Sequence, residues 1–171
     1  MRSSTMIAVA ALALALGIGV GSWKYAPSES ELKAEQIYNA RFDDLTGQSQ
    51  PLANWRGKIL VINFWATWCP PCREEIPDFV AVAEANRGKD LAIVGIALDE
   101  RDLVAQFAQE YKINYPMLLG GAAGSDFGAQ LGNNSQGIPF TAIIDRQGKV
   151  AYVAVGAMRR TELEKQIAKL L

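Results

Sequence analysis

The segment Trp68-Cys69-Pro70-Pro71-Cys72 holds the only two cysteines of a 171-residue chain that has no histidine. Two thiols three residues apart can form a disulfide, and their position decides what that disulfide does. An apolar strand-like run, Lys58 to Trp65, ends just before them, and a helical pattern begins at them. A helix N-terminus presents free N–H groups and the positive end of the backbone dipole, which stabilise a thiolate. Cys69, at the cap, should be the exposed nucleophile, and Cys72, one turn inside, the shielded partner that resolves a mixed disulfide. Pro70 and Pro71 occupy the first turn, where absent N–H groups cost least and a fixed φ stiffens the bridge. Two other uses of the pair stay open: half of a zinc site completed by carboxylates or a second chain, and a permanent disulfide. The second would close almost no loop and so stabilise little.

Composition removes most other chemistries. Without histidine there is no Ser-His or Cys-His catalytic unit and no imidazole metal ligand. Two cysteines cannot make a four-cysteine zinc or iron–sulfur site within one chain, nor a multi-disulfide scaffold. The net charge is −1, with no basic block, which argues against nucleic acid as a partner. No metal and no cofactor is expected.

Elements that could position the cysteines follow in alternation. Lys58 to Trp65 (KILVINFW) reads as a buried central strand. Residues 72–86 carry Ile76, Phe79, Val80 and Ala83 at helical spacing, and Leu91 to Leu98 reads as a second buried strand. Asp99 can cap a helix presenting Leu103, Phe107 and Tyr111 on one face. Thr141–Ile144 and Val150–Val155 flank a hairpin turn at Asp145-Arg146-Gln147-Gly148. A last helix opens on the capping box Thr161-Glu162-Leu163-Glu164 and lines up Leu163, Ile167 and Leu170. Gly120 to Gly137 yields no assignment. Strands alternating with helices, then a hairpin, imply an α/β domain whose mixed central sheet carries helices on both faces.

From Ser3 to Trp23 there is no charged residue, and as a helix this stretch would reach about 30 Å, one bilayer core. Residues 1–24 therefore read as a membrane anchor or signal sequence. The anchor is preferred because the apolar run exceeds the usual signal core. Either reading puts the remainder outside the cytoplasm, in an oxidising space. Residues 25–36 read as a polar tether and 37–171 as the folded domain.

The motif FWATWCPPCREEIP, followed about 70 residues later by GIPFTAIIDRQG, resembles the TlpA/ResA type of membrane-tethered proteins in the thioredoxin superfamily. The resemblance runs over roughly residues 37–171. It implies a thioredoxin-like fold, thiol–disulfide exchange through Cys69 and Cys72, and a cis peptide at Ile138-Pro139 facing them. By the same resemblance Ile138 pairs its backbone with a client, Trp68 offers a contact surface beside the nucleophile, and Pro77 kinks the cysteine-bearing helix. One position departs from thioredoxin itself, where a buried Asp stands in place of Asn63. An amide cannot relay a proton, so an acceptor must come from elsewhere. Glu74, Glu75, Asp99 and Glu100 are the candidates in sequence, though acids at such positions are more often solvated.

The function implied is an extracytoplasmic disulfide reductase on the bacterial inner membrane, its domain in the periplasm. It would be fed by a membrane thiol electron donor. Its clients would be protein disulfides such as those of apocytochrome c or copper-site cysteines. The neutral Pro-Pro pair between the cysteines places no cation there to stabilise a thiolate, which favours a reductant. The competing readings are an oxidase or isomerase of secreted proteins, a thiol peroxidase, and a Cu(I)-binding module. The peroxidase ranks lower, for the chain lacks the Pro-x-x-x-Thr-x-x-Cys approach.

Overall fold

Of the run Lys58 to Trp65, Ile59–Trp65 form the strand that the β-branched pattern predicts, and everything else is arranged around it. The computed structural model describes residues 28–171. The anchor or signal at 1–24 lies outside the described residues, and among those described no helix is long and apolar enough to cross a membrane. In chain order the elements are α1 (Glu29–Asn39), β1 (Arg41–Asp44), β2 (Ser49–Pro51), a 3-10 turn (Leu52–Trp55), β3 (Ile59–Trp65) and α2 (Pro70–Ala85). They continue with β4 (Leu91–Ala97), α3 (Arg101–Glu110), β5 (Met117–Leu119), α4 (Gly121–Gln130), β6 (Phe140–Ile144), β7 (Val150–Val155) and α5 (Arg160–Ala168). Lys33–Leu171 make one compact unit.

The seven strands lie in the order β2-β1-β5-β4-β3-β6-β7. β3 pairs with β4 in parallel and with β6 antiparallel, which makes it a central strand, and with helices on both faces every one of its residues is buried. On one face Ile59, Val61 and Trp65 pack with Ile76, Phe79 and Val82 of α2, Val104 and Phe107 of α3, and Leu163 and Ile167 of α5. On the other, Leu60, Ile62 and Phe64 meet Ile37 of α1, Leu52, and Phe127 of α4. The expected mixed sheet with helices on both faces is therefore present.

Several local expectations need correction. The tether assigned to 25–36 is helical from Glu29, and Ala34, Ile37 and Tyr38 of α1 are buried. In α3 the buried residues are Val104 and Phe107, while Leu103 is 48% exposed. Asp99 does not cap α3: Glu100 stands at the N-cap without a side-chain bond. The Thr161 capping box is also not formed. Helix α5 starts at Arg160, whose N–H donates to the Asp78 carboxylate of α2 at 2.9 Å. A tertiary acid has replaced the local cap.

The unassigned Gly-rich stretch is α4, and its glycines explain why. A Cβ on Gly120 would lie 2.5 Å from Ile96 Cγ2, and one on Gly124 would lie 2.9 Å from Leu98 Cδ2. Bare backbone lets this segment close onto the sheet despite poor helix propensity.

Candidate active site

Strand β3 delivers the cysteines to the edge of the sheet where the parallel pair β3–β4 ends. Cys69 is the N-cap of α2, and its Sγ accepts a hydrogen bond from the Cys72 N–H at 3.3 Å. Pro70 and Pro71 fill the first two helical positions as expected. The two sulfurs are bonded to each other, with Cα atoms 5.3 Å apart. Cys69 was expected to be exposed; in the disulfide form it is only 3% exposed, against 0% for Cys72. The accessible surface beside it belongs to Trp68, 66% exposed.

The Ile138-Pro139 peptide is cis, as the resemblance implied. Phe140 pairs with Phe64, so the antiparallel register sets this dipeptide beside the end of β3, and Ile138 packs on the apolar cluster that holds both cysteines. Two bonds fix the segment: the Gly156 N–H donates to the Pro139 carbonyl at 2.8 Å, and Asn133 Nδ2 donates to the Gly137 carbonyl at 2.9 Å. Trp68, Cys69, Cys72, Ile138 and Pro139 therefore gather at one end of the sheet. Pro77 lies inside α2, where it was assigned a kink.

Beneath the disulfide lies a polar group that sequence reasoning set aside. Glu75 follows Cys72 by one turn on the buried face of α2 and is 1% exposed. Its Oε1 accepts from Asn63 Nδ2 at 2.8 Å and its Oε2 from the Met158 N–H at 2.7 Å. Asn63 Nδ2 also donates to Thr141 Oγ1 at 3.2 Å. Burial pushes the Glu75 carboxyl up to about 7, the hydrogen bonds from Met158 and Asn63 pulling the other way and the Asp78 charge adding to the rise. The group can thus hold or release a proton near neutrality, next to the inner cysteine. Glu74 is exposed, as expected of an acid there. The helical period contained the signal for Glu75: Cys72, Glu75, Ile76, Phe79 and Val82 make one face.

On the solvent side of α2, Arg73 donates from Nε and Nη2 to the Tyr111 hydroxyl at 3.3 and 3.1 Å. Tyr111 is stacked on Phe107 at 3.9 Å between ring centroids. With Trp68, Pro70 and Glu74, Arg73 and Tyr111 line a shallow pocket beside Cys69.

A cysteine pair at the mouth of a helix, beside a cis-proline and on a mixed sheet of this order, makes this protein a thiol–disulfide oxidoreductase with the thioredoxin fold. Residues 32–171 match the Redoxin family, and the chain belongs to it. It is 30% identical over 139 residues to the thioredoxin-like protein YneN of Bacillus subtilis, covering 79% of this chain and 78% of that one. To the thiol-disulfide oxidoreductase ResA of Bacillus anthracis it is 28% identical over 149 residues, 85% of this chain and 83% of that one. Among solved structures, a DsbF homologue from Corynebacterium diphtheriae superposes with a TM-score of 0.70 at 31% identity, over 78% of this chain and 85% of its own.

Proposed function

We propose that the protein is an extracytoplasmic reductase of client disulfides, held at the inner membrane by its N-terminal segment. The observation that carries this reading is Glu75 buried one turn below Cys72. A carboxylate there repels a thiolate on Cys72 and accepts its proton when it attacks. A dithiol whose thiolate is poorly stabilised gives up electrons readily, which is the property of a reductant. The chemistry balances without a cofactor. Cys69 thiolate attacks a client disulfide, forming a mixed disulfide and releasing one client thiolate. Cys72 then passes its proton to Glu75 and attacks Cys69 Sγ, closing the intramolecular bond and releasing the second client sulfur as a thiolate, which the Glu75 proton or solvent can neutralise.

Trp68 and the Ile138 backbone form the surface on which the client strand lies, with Pro70 and Pro71 setting the stiffness of the loop. A membrane thiol donor returns the pair to its reduced form. The clients are cysteines of apocytochrome c, as the resemblance to the TlpA/ResA type implies, with copper-site cysteines as the alternative. Anchoring raises the local concentration of the domain near such partners. Equilibration of the full chain in defined thiol–disulfide buffers, read by alkylation and mass, tests the direction. A potential of roughly −220 mV or lower is expected of a reductase, and a value near roughly −120 mV would make the protein a disulfide donor instead.

A further inference from the structure

The loop that carries the nucleophile is tied to a neighbouring crossover by a single carboxylate. Asp99 follows the last strand residues of β4 and is half-buried. Its Oδ2 accepts from the Thr67 N–H at 3.0 Å and, more closely, from the Thr67 hydroxyl. Its Oδ1 accepts from the Glu100 N–H at 2.9 Å. Thr67 lies two residues before Cys69. The loop is otherwise held by Leu98 N–H to the Trp65 carbonyl at 2.8 Å and Cys69 N–H to the Ala66 carbonyl at 3.2 Å. Those backbone bonds fix where the strand ends and how the turn closes. Among the described residues, only the carboxylate ties Thr67 itself to a second element. Burial opposes the Asp99 charge, but its three hydrogen bonds outweigh that and hold the carboxyl below its ordinary value.

The constraint matters most once the disulfide is open. In the oxidised form the bond to Cys72 adds a covalent tie on the Cys69 side chain. Reduction removes that tie, and an attacking thiolate must still meet a disulfide sulfur in line. Charge-assisted bonds to a backbone N–H and a hydroxyl are the stronger kind and resist fraying. We propose that Asp99 and Thr67 are positioning residues for the exchange reaction, a latch that keeps Trp68 and Cys69 in attack geometry after the disulfide opens. Neither touches the reacting sulfurs in this role. The effect comes from preorganisation, where small displacements of a nucleophile cost large factors in rate.

The test uses the full chain, reduced, in detergent, with a chromogenic aromatic disulfide as probe, so it does not depend on the direction of electron flow in the cell. Thr67→Val and Asp99→Ala should each slow attack about tenfold, and the double variant should be no slower than either alone. Thr67→Ser and Asp99→Asn, which keep a donor and an acceptor, should recover much of the rate. The pH profile of Cys69 alkylation should keep its midpoint in Thr67→Val. Lower melting temperatures with unchanged rates would make the contact merely structural and overturn the proposal. So would losses that multiply in the double variant. An alkylation midpoint that moves in Asp99→Ala but not in Thr67→Val would assign a direct effect of charge and overturn it as well.

Discussion

Replacing Glu75 by glutamine should stabilise the folded protein above neutrality, because the wild type bears the cost of a buried carboxylate. The carboxyl lies at 4.5 ordinarily and at about 7 in the fold, burial being the main cause. Between those values the unfolded chain has lost a proton that the folded protein still holds. Stability therefore falls as pH rises through that window. A displacement of about 2.5 units at 1.36 kcal/mol each comes to about 3 kcal/mol. Glutamine fits the same place: its carbonyl can accept from the Met158 N–H, and, once the Asn63 amide turns over, its own amide can donate to Asn63 Oδ1, which has no partner among the described residues. Urea unfolding of the oxidised protein at constant ionic strength, from pH 4.5 to 8, measures the difference between variant and wild type. That difference should shift by about 3 kcal/mol in favour of the variant as pH rises. A difference that stays flat with pH, or shifts toward the wild type, refutes the reasoning. The same variant bears on chemistry: release of client from the mixed disulfide should lose its inflection near pH 7.

Two further substitutions probe the scaffold and the docking surface. A Cβ at Gly95 would stand 2.5 Å from Met117 Sδ and 3.2 Å from Trp65 Nε1, so Gly95→Ala should cost about 1–3 kcal/mol; an unchanged urea midpoint would show that the core gives way freely. Trp68 is 66% exposed, so Trp68→Ala should alter stability by less than about 0.5 kcal/mol. It should raise KM for a protein disulfide about tenfold while leaving a small disulfide unaffected; equal losses on both substrates would deny it a docking role.

The central strands and the cysteine helix were legible because their signals are local and agree. An apolar run bounded by turns, then a helical period opening on cysteine and proline, leaves little choice of structure. What escaped was set by tertiary contacts. Reading the buried face of α2 as Ile76, Phe79, Val80 and Ala83 placed Glu75 outside it; the packed face is rotated to Cys72, Glu75, Ile76, Phe79 and Val82. Asp99 is of a residue type that caps helices and is used instead across one crossover, on Thr67 in the loop after β3. The capping box at Thr161 lost to Asp78, a residue 82 positions away from the N–H it accepts. Helix α4 was hidden by glycines whose purpose, close approach to Ile96 and Leu98, has no local signature.

The two prolines between the cysteines are both exposed, and like Trp68 they belong to the part of the site that the core does not grip. Each withholds an N–H from the helix mouth. Substituting either one adds a donor where a Cys69 thiolate forms, without disturbing the buried side chains of β3 or α2. Through these two residues the electron affinity of the pair can change with little cost to the fold, whereas Glu75 couples the two properties. The potential of this chain can therefore be adjusted through a solvent-facing dipeptide while the sheet, the cis-proline and the buried carboxylate stay as they are.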